Sequence, residues 1–213
     1  MKITIVYDNT TSREDLQADW GFSALIEAKN TPKILFDTGA NGKILLNNME
    51  KLGIKPISID EIFISHSHFD HTGGLSEFLN VNDKVKIYIP PSFRGIKKGE
   101  VVKIKEPTKI HKNIFSTGEL EKIEQSMGVI TEKGIILIVG CSHPYMGNIL
   151  TATRKFGKIY GIVGGMHGFS EFELFQDLEL ICPTHCTQYK AELKKLYPKK
   201  YIEGGVGKII NIE

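Results

Sequence analysis

Cysteine, arginine and tryptophan are scarce in this chain. Its 213 residues hold three cysteines (Cys141, Cys182, Cys186), one tryptophan, and arginine only as Arg13, Arg94 and Arg154. A small, odd cysteine count excludes a disulfide framework and predicts reduced thiols in the cytoplasm. The opening MKITIVYDNTTSRED alternates as a strand does and turns polar by Asp8, so it predicts neither a signal peptide nor a membrane span. No later apolar run is long enough to cross a bilayer. With a net charge of +2 and no arginine-rich arm, a strong general attraction to nucleic acid or to a membrane surface is excluded as well. The stretch KKGEVVKIKEPTKIHK (97–112) alternates lysines with apolar residues and reads as a solvated edge strand guarded by its charges, not a nucleic-acid track.

What is present is enough for an ordinary core. At 41% hydrophobic and 24% charged residues, the chain reads as a single domain over 1–213. Short apolar runs closed by Gly, Asp or His read as strands: 2–8, 22–28, 33–39, 60–66, 84–90, 128–143, 158–165 and 178–185. Helical spacing falls at 42–53, 72–80, 143–157 and 187–198. Because the helices are interspersed and do not strictly alternate with strands, two sheets with helices outside are expected instead of a doubly wound parallel sheet.

Histidine is concentrated. Three of the seven histidines, with an aspartate, occupy six consecutive positions in HSHFDH, from His66 to His71. Such a hexamer arises by chance on the order of a few times in ten thousand chains of this length and composition. The run DEIFIS leads straight into it, so His66 and His68 lie two apart at a strand end while Asp70 and His71 follow the turn into a helix. One loop thereby feeds two adjacent metal positions, with the TGG that follows expected to permit a tight turn and Thr72 to begin a helix. His143, His167 and His185 also end apolar runs, in GCSH, GGMHG and PTHC; His111 does not. Cys141 and Cys186 read as small residues packed behind the site or as soft neighbours of a metal, and Cys182, His185 and Cys186 lack the second ligand pair of a structural zinc site. Asn9 and Asn148 are candidate pocket residues.

HSHFDH after an apolar strand, with LFDTG before it and isolated strand-end histidines after it, resembles the metallo-β-lactamase superfamily over nearly the whole chain. The pieces DNT, GFSALIE, SHSHFDHTGGL, GCSHPYMGNIL, GGMHGF, HCT and GGVGKII are similar to its dihydropterin ribofuranosyl-aminobenzene 5'-phosphate synthase-like subgroup. The resemblance implies an α/β, αβ/βα four-layer sandwich with a metal site at one rim. It implies His66, His68 and His143 on a first metal, Asp70, His71 and His185 on a second, and Asp37 supporting them. Many binuclear members carry a bridging aspartate where this chain ends a strand in His167, leaving three readings open: His167 as a terminal ligand, His167 as a substrate-facing group, or a weak second site. Two divalent ions are expected, zinc first, with iron or manganese also suited to the ligand types. The implied activity is hydrolysis of a small ester, lactone or phosphate compound, with Asp70 and His167 catalytic. The alternatives are a synthase-like transferase and a metal-holding binding protein without catalysis. The expected partner is a small-molecule substrate, not nucleic acid or membrane.

Overall fold

Runs such as GIILIV and IYGIVGG are apolar at almost every position, so strands built from them need cover on both faces. The computed structural model, which describes residues 1–96 and 98–213, supplies that cover with two stacked sheets and outer helices. In chain order the first half forms β1 (Lys2–Tyr7), β2 (Ser23–Glu27), β3 (Ile34–Phe36), α1 (Gly42–Lys51), β4 (Glu61–Phe63), α2 (Phe69–Thr72), α3 (Leu75–Val81), β5 (Lys86–Ile89) and β6 (Glu100–Lys103). The second half forms β7 (Thr108–His111), β8 (Ile114–Ser116), β9 (Met127–Thr131), β10 (Gly134–Val139), α4 (Met146–Arg154), β11 (Ile159–Gly165), β12 (Leu180–Thr184), α5 (Lys190–Leu196) and β13 (Ile209–Asn211). One sheet has the order β13-β1-β2-β3-β4-β5-β6 and the other β12-β11-β10-β9-β8-β7. The last strand returns to the first, with Lys2 opposite Asn211.

Alternation sorts the side chains into layers. Ile136 and Ile138 of β10 enter the core between the sheets together with Phe36 and Phe63, whereas Leu137 and Val139 face the layer of α4. Across the first sheet, Ile62 and Ile64 pack under Leu45 and Met49 of α1 and Phe78 of α3. Phe36 and Phe63 stack at 5.4 Å between ring centroids, and burying each such ring contributes roughly 1.5–3 kcal/mol. This is the expected two-sheet sandwich with helices outside.

Several local expectations are corrected. The lysine-rich stretch is not one edge strand but two. Its first part is β6, the edge of the first sheet, and its second is β7, the edge of the other; Lys97 lies outside the described residues. The 128–143 run splits into a hairpin of β9 and β10. Thr72 ends α2 instead of starting a helix, and its hydroxyl donates to His68 O at 3.0 Å. The TGG glycines serve approach more than turning. Gly73 has an ordinary helical φ of −62°, but a Cβ there would lie 2.1 Å from Ala40 O. The close fit presses the hexamer's helix onto the DTGA loop.

Parallel pairing of β3, β4 and β5 in one sheet and of β10, β11 and β12 in the other gathers strand ends at one rim. Every histidine except His111 follows one of those ends; His111 lies in β7 and bonds Glu61 Oε2 through Nε2 at 2.7 Å.

Candidate metal centre

The rim brings the predicted ligands into two groups. His66, His68 and His143 form one, and Asp70, His71 and His185 the other, with the ligand atoms inside each group all within 4.8 Å of one another. His66 Nε2 lies 3.1 Å from His68 Nδ1, and His185 Nε2 lies 3.2 Å from Asp70 Oδ2. The groups adjoin, with the His66 and His71 rings 4.2 Å apart.

Hydrogen bonds set which nitrogen of each ring is bare. Ser65 Oγ donates to Asp37 Oδ2 at 2.7 Å, so its contact of 2.9 Å with His66 Nδ1 requires that nitrogen to be the donor. His71 Nδ1 donates to Asp37 Oδ2 at 2.7 Å, and His185 Nδ1 to Asn9 Oδ1 at 2.9 Å. These tautomers, assigned from the network, leave Nε2 of all three rings as lone pairs turned into the cage. Asp37 therefore stands behind the site, as implied by the resemblance, and accepts a third bond from Ser65 N at 2.8 Å.

Electrostatics agree with neutral imidazoles. Burial first, then neighbouring histidines, brings His66 and His71 down to about 3, and burial also lowers His143. For Asp70 burial acts upward, yet the adjacent His185 and His71 rings outweigh it and hold the carboxyl well below the usual carboxylate range. Burial pushes Asp37 up to about 8, against His66 and the bonds from Ser65. Its three donors suit the ionised form, which a cation on the far side of His71 favours.

A divalent cation fits these atoms. The Nε2 atoms of His143 and His185 are buried without a hydrogen-bond partner among the described residues. The 3.1 Å between His66 Nε2 and His68 Nδ1 is close to the edge of about 3.3 Å between two nitrogens on a tetrahedral zinc.

His167 joins neither group. It is exposed, its ring lies 5.1 Å from that of His143, and its nearest ligand-type neighbours are Cys141 and Cys186. Asn9 holds His185 through both its side-chain atoms, donating from Nδ2 to His185 O at 3.1 Å. Asn148 does not reach the site and donates to Glu121. Cys182 lies in the inter-sheet core, which removes the Cys182, His185 and Cys186 grouping.

Two contributors escaped the sequence reading. Glu124, between β8 and β9, is fully buried and accepts the backbone N–H groups of Gly140, Cys141 and Ser142 on Oε1 and of His143 on Oε2, at 3.0–3.1 Å. Burial alone would raise it, but His66 and the His143 N–H bring its pKa below the ordinary value. Nothing in EKIEQSM marks it. Trp20 donates from Nε1 to Asp70 Oδ2 at 2.9 Å and stands edge-on to His185, while 54% of its surface stays exposed. Its being the one tryptophan, in a loop, was the available signal.

A histidine- and aspartate-lined rim on an αβ/βα sandwich defines a class. Residues 21–174 match the family model of the metallo-beta-lactamase superfamily, and the chain belongs to that superfamily. Within it the chain is 31% identical to an uncharacterized protein of Methanocaldococcus jannaschii, over 99% of this chain and 100% of that one. It is 28% identical to the same organism's 7,8-dihydropterin-6-methyl-4-(beta-D-ribofuranosyl)-aminobenzene-5'-phosphate synthase, over 89% and 88%. Among solved structures, a metal-dependent hydrolase of the beta-lactamase superfamily superposes with a TM-score of 0.80 at 24% identity, covering 100% of this chain and 99% of the other. The superfamily and the ligand set together imply divalent metals.

Proposed function

We propose that the chain is a metal-dependent hydrolase of a small ester, lactone or phosphate compound. The supporting observation is the pair of adjoining three-residue groups with bare, buried nitrogens, since three protein ligands per ion is the pattern of catalytic sites that keep a position open. His66, His68 and His143 hold one ion and Asp70, His71 and His185 the other, with zinc the first choice for imidazole-rich donors. Divalent ions bound there supply Lewis acidity and lower the pKa of water into the neutral range.

The chain's own groups do the rest. Asp70 is ionised and held by the Trp20 indole N–H, so its carboxylate can accept a hydrogen bond from a water and orient it. His167 stands on the exposed side of His143, where a donor can meet an oxyanion as it develops. A cavity of about 290 Å³ beside them, lined by His143, Tyr145, Met166, His167, Phe169 and Glu171, suits a small substrate. No helix among the described residues is long and apolar enough to cross a membrane. A cytoplasmic enzyme with a small-molecule partner, independent of nucleic acid and membrane, completes the reading.

The test is metal content of protein purified without added metal, followed by assays on esters, lactones and phosphate esters with and without a chelator. About two ions per chain and chelator-sensitive turnover are expected. Turnover that survives chelation ends the proposal, and metal without turnover of any compound moves the chain to the metal-holding proteins. A second reading, favoured by the 28% identity to the synthase, is a pterin-forming transferase. It requires product from a dihydropterin diphosphate and an aminobenzene ribotide, and falls if none forms.

A further inference from the structure

Of the three buried, free cysteines, one lies against both ligand groups. Cys141 is 3% exposed, and its Sγ lies 3.1 Å from His71 Nε2, the bare nitrogen of that ring. With His66 and His71 it makes a third set of ligand atoms all within 4.8 Å of one another. His66 belongs to one three-residue group and His71 to the other, so the sulfur lies against both metal positions at once.

We infer that Cys141 is a ligand shared by the two metal positions, which makes this a sulfur-containing centre and not an all-nitrogen-and-oxygen one. The inference rests on the two-ion reading above. Each group offers three donors, and a catalytic zinc can expand to five-coordinate, so each ion can take a shared sulfur and still keep a position for water. An imidazole nitrogen has one lone pair and serves one ion, whereas a thiolate sulfur has several and can serve two. His167, two residues beyond β11, is an exposed imidazole whose single lone pair cannot serve two ions.

The backbone aims the sulfur. Cys141 N donates to Glu124 Oε1 at 3.0 Å, and the preceding Gly140 lies so close to the hexamer loop that a Cβ there would sit 2.2 Å from Ser65 Oγ. On its far side the sulfur meets Cys186 and His167, again within 4.8 Å. Binding breaks the Cys141 S–H bond, forms sulfur–metal bonds and releases the proton to solvent, with no oxidation. A sulfur donor selects thiophilic ions, so zinc and cobalt are favoured over manganese and magnesium.

The test uses the full chain loaded with cobalt(II), with metal content measured on the same samples. Two bound ions and an intense thiolate-to-cobalt charge-transfer absorption, lost in Cys141→Ser and kept in Cys186→Ser and Cys182→Ser, are expected. X-ray absorption on the zinc-loaded parent needs no variant and should show sulfur scattering at about 2.3 Å. Two ions with no sulfur signal, or a signal that persists in Cys141→Ser, overturn the inference and leave the binuclear hydrolase standing. Fewer than two ions overturn the two-ion reading and the shared ligand with it.

Discussion

The two halves of the rim are built differently. Between His66 and His71 four candidate ligands come from one strand end and one short helix, and their spacing is settled by a single local turn. Across the cleft, His143, His167 and His185 follow three separate strands, and the chain must be bent for each. Ser142, His167 and His185 sit at φ of 58°, 43° and 43°, in the left-handed region, whereas the hexamer itself contains no such residue and only its partner Asp37, at 53°, does. A left-handed non-glycine residue costs about 1–3 kcal/mol and persists only where surrounding contacts hold it. Those contacts are visible: Glu124 gathers the N–H groups of residues 140–143, and Asp8 Oδ1 accepts His185 N at 2.8 Å. One half is specified locally, the other by long-range polar ties.

The largest effect should come from cutting the strongest of those ties. Glu124→Ala leaves four donors unpaired, three of them buried, and a stability loss of at least about 3 kcal/mol in urea denaturation is expected. A loss below about 1 kcal/mol would mean that the second half holds itself, and the contrast would break.

Acid should act next, on the metal-free protein. His66 and His71 have folded values of about 3 against an ordinary 6.5, so the unfolded chain takes up their protons first and stability falls as pH drops from 6.5 toward 3. Asp37 acts oppositely. Its folded value of about 8 lies above its ordinary 3.8, so its contribution is lost as pH rises toward 8. Denaturation midpoints of chelated protein should therefore peak near pH 6.5, and a profile rising steadily to pH 8 would contradict the Asp37 assignment.

On the locally built side, Asp37→Asn keeps the shape but removes the charge behind His71, and metal affinity should fall about 10–100-fold in a chelator competition titration. Unchanged affinity would show that the hexamer needs no support. The smallest effect sharpens the comparison by its sign. His167→Gly should stabilise the fold by about 1 kcal/mol, because glycine accepts the φ of 43° that histidine resists, while His167→Ala should not. Equal stability of the two variants would remove strain from the argument.

Much of this molecule was legible because its signals are local. Strands covered on both faces read as apolar runs, α1 announced itself by spacing and by Asn41, whose side chain accepts from Lys43 N and Ile44 N, and the hexamer stood out by composition. The lysine-rich stretch read correctly as edge material, but its division between two sheets did not, because alternation reports which residues face water and not which neighbour a strand pairs with. Glu124 was illegible for a related reason. A carboxylate buried by backbone donors looks in sequence like any surface glutamate.

By itself the sequence determined the class of fold, through apolar runs and the resemblance, and the four clustered ligand candidates with further histidines at strand ends, since these signals lie within a few positions of one another. The division of His143 and His185 between two groups was already implied by the resemblance; only the tertiary structure decided that His167 stays outside both, that Trp20 and Glu124 bond to the site's residues, and that the sulfur of Cys141 lies beside His66 and His71. Those outcomes depend on how two sheets stack and on backbone conformations held by distant hydrogen bonds, and neither the stacking nor the strain leaves a mark on the neighbouring letters.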